Sequence, residues 1–340
     1  MRIAQVMAGA RHGGAEAFYE RLCRALHAAG EAVLPVIRRD ADRAARLRAG
    51  GLAPVELGFG GALDLLTGLR LKRALEGFAP DVTIAWMNRA ARFAPKGPWT
   101  LVGRLGGYYD LKYYRRCDHL VGNTRGIVRW IVGQGWPEAR VHHLPNFAAD
   151  LAGAAPAALA GAPRLLAMGR LHRNKGFDVA IRALARVPGA HLSIAGEGPE
   201  RAALETLARE AGVADRVAFL GWRSDIGALL AGCDIFLCAS RHEPLGNIVL
   251  EAWSARRPVV AAAADGPREL IEDGATGLLV PLEDAEAMAA AILRLVTDAA
   301  AAARLAAAGR AAYERDFTEA AVVARWRGFL AAVAPRRRAA

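Results

Sequence analysis

Cysteine is scarce in this chain. Its four residues, Cys23, Cys117, Cys233 and Cys238, form no Cys-x-x-Cys pair and no set at zinc-ligand spacing. That argues against a disulfide scaffold and a thiolate metal site, and all four read as structural, as Cys238 does in the apolar run 235–238. No stretch approaches the ~20 apolar residues of a membrane span, and the opening Met1-Arg2-Ile3-Ala4 enters a strand-like segment without the pattern of a secretory leader. The chain is therefore expected in the cytosol. Short-period repeats are missing, which argues against a solenoid. Also absent is the Gly-x-Gly-x-x-Gly turn with a downstream acidic residue that marks a dinucleotide enzyme. Acidic residues are outnumbered, with 34 Asp and Glu against 45 Lys and Arg. Residues 1–150 hold 22 of those cations against 13 acids, a surplus of 9, whereas the remainder is nearly neutral with Arg336, Arg337 and Arg338 at its tail. A basic first half attracts polyanions such as nucleic acid, anionic lipid or a phosphorylated glycan, although a basic proteome would give the same surplus.

What is present is length and alternation. At 340 residues the chain favours two domains, each able to bury its own core. Strand-like runs fall at 3–7, 32–37, 82–86, 100–104, 119–122 and 141–144, with helical patterns between them, among them 15–29 and 63–78. A stretch of small residues, Gly and Pro over 148–156 and 161–163 reads as a linker. The alternation then restarts, with strands at 164–168, 190–195, 217–220, 235–238, 258–261 and 277–280 and helices at 177–186, 200–211, 247–255 and 285–297. The expected fold class is α/β, with two Rossmann-like doubly wound domains facing a central cleft. The expected boundaries are 1–150, a linker at 151–163, a second domain at 164–316, and a last helix near 317–334 that packs back on the first.

The strongest constellation is Glu243-Pro244-Leu245-Gly246-Asn247-Ile248-Val249-Leu250-Glu251. Pro244 pushes Glu243 out of helical geometry and suits a helix start, while Glu251 lies roughly 7 Å farther along the helix. Two carboxylates so spaced can hold hydroxyl-bearing rings flanking a diphosphate, whose charge the amides of Leu245, Gly246 and Asn247 would face. Glu251 lies in an apolar helix, where an unpartnered carboxylate would cost several kcal/mol. Upstream, Met168-Gly169-Arg170 through Lys175-Gly176 places two cations between a strand and a helix. Weaker signals are the glycine turns Gly13-Gly14-Ala15-Glu16 and Gly196-Glu197-Gly198-Pro199.

With those stretches and Gly274-Ala275-Thr276-Gly277-Leu278-Leu279-Val280, the chain resembles family 4 glycosyltransferases of the GT-B fold over essentially its full length. The resemblance implies that Glu243 contacts hydroxyls of the donor sugar and Glu251 the ribose. Arg170 and Lys175 would bind and stabilise the diphosphate. Leu245, Gly246 and Asn247 would meet sugar and phosphate, Gly14 would face the donor from the other domain, and Trp222 falls where the nucleobase lies. It also implies retention, a nucleotide-sugar donor (UDP- or GDP-linked) and no cofactor or bound metal. Asp40-Ala41-Asp42 reads as a solvated turn. Three departures stand out: Arg104-Leu105-Gly106 where many relatives place a histidine, for which His12 and His172 are poor substitutes; Pro145-Asn146-Phe147; and Arg257 before Pro258.

The acceptor candidates are Asn88, Arg104, Tyr108 and Tyr109. Arg89 and Arg92 are of the same kind, and aromatic rings and cations interleave from Tyr108 to Arg116. The expected acceptor is a glycan or lipid-linked glycan of the bacterial surface, such as lipopolysaccharide, met at the inner face of the membrane. An epimerase on the same fold and a basic nucleic-acid-binding protein are the competing readings. The first lacks placeable acid–base groups and the second any recognisable nucleic-acid module, so nucleic acid is not an expected partner.

Overall fold

The computed structural model describes residues 1–11, 13–60 and 64–335. His12 and the arginines at 336–338 lie outside that set. Two compact units are present, one comprising Met1–Asn146 and the chain from Glu319 onward, the other Phe147–Thr318.

In the first unit the described strands are β1 (Arg2–Met7), β2 (Ala32–Arg38), β3 (Val55–Leu57), β4 (Val82–Trp86), β5 (Thr100–Leu105), β6 (His119–Gly122) and β7 (Val141–His143). They form a parallel sheet in the order β3-β2-β1-β4-β5-β6-β7. Ile3, Ala4, Val6 and Met7 are fully buried, as a strand covered by helices on both faces requires. Order reverses between β1 and β4, which makes their carboxyl ends the natural ligand edge.

The helix Glu319–Val333 belongs to this unit. It buries Val322, Trp326 and Leu330, and Thr100 Oγ1 donates to the Val333 carbonyl at 2.6 Å. Its Arg327 meets Glu31 at 2.7 Å, and the same carboxylate takes the N-terminal ammonium at 2.8 Å. Phe329 of this helix packs tilted against His142, 4.7 Å between ring centres, and His142 Nε2 lies 3.0 Å from His119 Nδ1.

Burial lowers both imidazoles below their ordinary value of 6.5; at His119 Asp118 opposes this and Arg140 adds to it, and at His142 the neighbouring His119 adds to it. The folded chain therefore resists protonation that the unfolded chain accepts, so this stability is present above the ordinary histidine range and is lost as pH falls through it. Melting temperature is expected to fall between about pH 7.5 and 5.5, less steeply in His142→Gln. An identical slope in that variant would remove the pair as the cause.

The second unit contains β8 (Arg164–Met168), β9 (His191–Ala195), β10 (Val217–Gly221), β11 (Ile235–Cys238), β12 (Val259–Ala262) and β13 (Leu278–Val280). These run parallel in the order β10-β9-β8-β11-β12-β13, with the reversal between β8 and β11. One apolar cluster covers each face, one around Ile181, Leu192, Ile194 and Ile292, the other around Phe236, Leu250, Trp253 and Tyr313.

Two expectations change here. The expected linker, 151–163, is packed rather than bare, since Ala157 N donates to the Ala228 carbonyl at 2.9 Å, and just before it Tyr313 Oη donates to the Ala148 carbonyl at 3.1 Å. Arg310 also grips Asp150 at 2.6 and 2.8 Å. Small residues here serve close packing: a side chain at Gly232 would run into the Ala157 carbonyl. Asp40, read as part of a solvated turn, instead caps the helix Ala41–Ala49 by accepting from Arg43 N at 3.0 Å. Burial pushes its carboxyl up, but the Arg43 amide and cations outweigh that and hold it low.

Candidate active site

At the carboxyl edge of the second sheet three loops are knitted together. Gly169 N donates to the Ala195 carbonyl and Leu171 N to the Glu197 carbonyl, both at 2.9 Å, while Gly196 N donates to the Gly221 carbonyl at 2.7 Å. Gly196 (φ +144) approaches so closely that any side chain would overlap the Gly169 carbonyl. The weakly weighted Gly196-Glu197-Gly198 turn is therefore a required contact between loops.

The loop after β8 presents exposed Arg170, and the 3-10 turn Arg173–Lys175 follows, capped by His172, whose ring accepts from Asn174 N at 3.2 Å. From that turn Lys175 Nζ reaches Glu243 Oε2 at 2.5 Å, and the Ser240 hydroxyl lies 3.4 Å from the same oxygen. Two groups read separately in the sequence thus meet as one ion pair at the β8/β11 reversal. The Glu243 carbonyl accepts from Gly266 N at 2.7 Å, which fixes the loop independently of the side chain.

Helix Asn247–Ser254 begins one residue after Gly246, whose φ of +84 turns the chain into it. Pro244 therefore precedes the helix by three residues instead of starting it; its fixed φ shapes the extended loop. Leu245 and Gly246 are buried, Asn247 and Glu251 half-buried at the helix mouth and first turns. The helix is anchored by Trp253, fully buried, whose indole N–H donates to the Thr276 carbonyl at 3.0 Å. Trp222, just past β10 at the same sheet edge, is 72% exposed, so its ring face is available for stacking.

Arg241 and Asp178 escaped the sequence reading. The Arg241 guanidinium takes Asp178 at 2.7 and 2.8 Å, Glu283 at 2.6 Å and the Arg173 carbonyl at 2.8 Å. It clamps the lysine loop to the glutamate loop, and its hydrogen bonds to Asp178 raise its pKa despite burial. The available signal was a cation two residues before Glu243, which no spacing rule singles out. With the nucleotide-sugar donor that the family resemblance implies as ligand, Arg241→Ala should weaken binding by about 10-fold, the scale of a few charge-assisted hydrogen bonds. Unchanged binding by calorimetry would make the clamp merely structural.

In the first unit the β1/β4 reversal opens a pocket of about 310 Å³ lined by Ala8, Gly9, Glu16, Arg38, Trp86, Met87, Asn88, Arg89 and Tyr109, among others. Glu16 accepts from Ala10 N at 2.9 Å, and its carboxylate fills the space that side chains at Gly9 and Gly13 would need. Gly14 is exposed at the first position of helix Gly14–Ala28. Asn88 and Tyr109 reach the pocket. Tyr108 does not line it and stands edge-on to Trp130, with ring centres 5.5 Å apart.

Arg104 is corrected outright as a direct acceptor contact, since it is 1% exposed. Its guanidinium donates to Asn146 Oδ1 at 2.6 Å and lies 4.6 Å from the centre of the Trp86 ring, behind the pocket wall. Burial lowers its pKa to about 10, which leaves it a cation at neutral pH. Tyr114, read among the sugar-stacking candidates, is likewise core. Among the described residues no group of three His, Cys, Asp or Glu is placed to hold a metal ion, and no helix is long and apolar enough to cross a membrane.

Comparison with known proteins agrees with this architecture. The family described as "Glycosyl transferases group 1" matches residues 162–298, the unit holding the Lys175–Glu243 pair. Lipopolysaccharide core biosynthesis glycosyltransferase LpsE of Rhizobium meliloti (strain 1021) is 36% identical over 326 residues, 92% of this chain and 94% of that protein. LpsD of the same organism, which carries the same description, is 35% identical over 323 residues, 91% and 92% of the two chains. The crystal structure of Anabaena HepE in complex with UDP superposes with a TM-score of 0.85 at 21% identity, covering 98% of this chain and all of that one. The chain is a two-domain α/β enzyme that belongs to the group 1 glycosyltransferases.

Proposed function

We propose that the enzyme transfers a sugar, with retention, from a nucleotide-sugar donor to a growing lipopolysaccharide core. The observation that carries this reading is the Lys175–Glu243 pair at the β8/β11 reversal, its lysine lying against Gly169 in the loop that bears Arg170 and its glutamate four residues before the helix that bears Glu251. In it, Arg170 and Lys175 take the charge that develops on the departing diphosphate, Glu243 holds donor-sugar hydroxyls, and Glu251 holds the ribose. Trp222 stacks on the base, and Leu245, Gly246 and Asn247 complete the donor contacts of the second unit. The departing phosphate receives the acceptor proton as the new bond forms on the same face, and no cofactor enters the scheme. LpsE and LpsD support the core acceptor by their names and their coverage of nearly the whole chain. The basic surplus of the first half supports work at an anionic membrane face on the cytoplasmic side.

The test begins with thermal stabilisation by UDP- and GDP-sugars against duplex DNA. A donor at ~100 times its Kd adds ~2.7 kcal/mol of stability. Transfer to core oligosaccharide is then read by product mass and anomeric linkage. Stabilisation by DNA alone, or a product of inverted configuration, would sink the reading.

A further inference from the structure

The pocket at the ends of β1 and β4 has an excess of positive charge that donor chemistry leaves unused. Arg38, at the end of β2, and Arg89 both line it, and among the described residues neither side chain has an ion pair or a hydrogen bond. Behind the wall, Arg104 is buried with no carboxylate beside it among the described residues, and its Nε has no partner. The single carboxylate in the lining, Glu16, is committed to the Ala10 amide. Two cations thus face one anion around a concave site, with a third cation buried behind its wall, a field that draws in negative charge.

Two further observations mark the place as a ligand site. Asn88 Oδ1 is buried without a hydrogen-bond partner, so it lacks a donor that a ring hydroxyl would supply. Met87, in the same lining, holds a φ of +60 although it is not glycine. Strain of that kind persists where surrounding structure enforces a functional geometry. The volume, about 310 Å³, sits at the lower end of the ~300–1,000 Å³ typical of small-molecule sites. It suits one sugar residue and is small for a whole nucleotide sugar.

We infer that this pocket receives an anionic sugar residue of the acceptor, bearing a phosphate monoester or a carboxylate. Arg38 and Arg89 grip the anion and Asn88 Oδ1 accepts from a ring hydroxyl. The inference rests on the transferase reading, in which this unit presents the acceptor, and it narrows the acceptor to a charged one.

Calorimetry on the full chain tests it, with the donor site first filled by UDP or GDP and then with it empty. The titrants are mannose 6-phosphate, glucuronate, mannose and inorganic phosphate. At least one charged sugar should bind about 10-fold or more tighter than mannose, and the stronger of the two identifies phosphate or carboxylate as the group recognised. Arg38→Gln with Arg89→Gln, both exposed and so harmless to the fold, should remove that preference and leave nucleotide affinity unchanged. Asn88→Ala should weaken the charged sugar but not inorganic phosphate. Equal binding of mannose, a preference that survives the double substitution, or no sugar binding by a chain that binds nucleotide would each overturn the inference. Failure to bind any nucleotide would overturn the transferase reading instead, and the sugar titrations on the empty chain would still decide the anion question.

Discussion

Glu243→Ala is expected to lower kcat by about 10²–10³-fold or more, the scale seen when one charge-positioning contact is lost, with nucleotide affinity changed only a few-fold. The fold should survive, because the loop is held by the Glu243 carbonyl on Gly266 N, which the substitution leaves intact. What disappears is the partner of Lys175. With the carboxylate in place, Lys175 is fixed at the edge of the sheet, and without it the ammonium is free to take other rotamers. Lys175→Ala should therefore show a similar loss, and the double substitution little beyond either alone, since two halves of one pair do not add. Glu243→Gln, which retains an acceptor but not the charge, should fall between. Single-turnover transfer together with UDP calorimetry separates the outcomes. An unchanged rate in Glu243→Ala would remove this residue from the mechanism, and a defect confined to binding would make it a donor anchor only.

Gly176→Val should be strongly damaging although it leaves every charged group of the site in place. Gly176 has φ +63 and faces the Ala239 carbonyl, so a side chain meets backbone that has nowhere to move. Strain and overpacking together cost about 2–4 kcal/mol, a fall in Tm of roughly 5–15 °C for a unit of this size. Function should fall further, because Gly176 sits where the lysine loop abuts the glutamate loop. Separating them by even ~1 Å breaks the aligned geometry on which transfer depends. Gly30→Ala is the control: its φ is +88, but nothing lies within 4 Å of the added carbon, so it carries only the local backbone penalty of about 1 kcal/mol. If both variants melted alike and bound UDP alike, the close approach at Gly176 would have no functional meaning.

The parts of this protein that periodicity encodes were legible before its structure. The six strands proposed for each half fall on β1, β2 and β4–β7 and on β8–β13 to within a residue or two, because strands of a covered parallel sheet are continuous apolar runs. β3, Val55–Leu57, is too short and too mixed to stand out, and it exists through pairing with β2. The carboxylates and cations at the carboxyl edge of the second sheet could be named because adjacent motif residues carry them. That Lys175 and Glu243 touch, or that Arg241 bridges to Asp178, depends on loops 60 and more residues apart in sequence converging at one reversal, and local spacing holds no trace of that. Arg104 misled for a related reason. An arginine at a strand end is usually solvent-facing, but here it is roofed by Phe18 and Trp86, aromatic partners that come from other elements.

The first unit is assembled from two stretches separated in the chain, Met1–Asn146 and the segment from Glu319 on. During synthesis, its sheet leaves the ribosome long before the helix that covers part of it. At typical elongation of about 5–20 residues per second, the interval is on the order of ten seconds or more. Throughout that time the surface awaiting Trp326 and Leu330 has no partner from its own chain, whereas the intervening unit is contiguous and can finish folding first. The first unit is thus the last to mature, and a messenger truncated before residue 319 would yield a finished second unit attached to an unfinished first one.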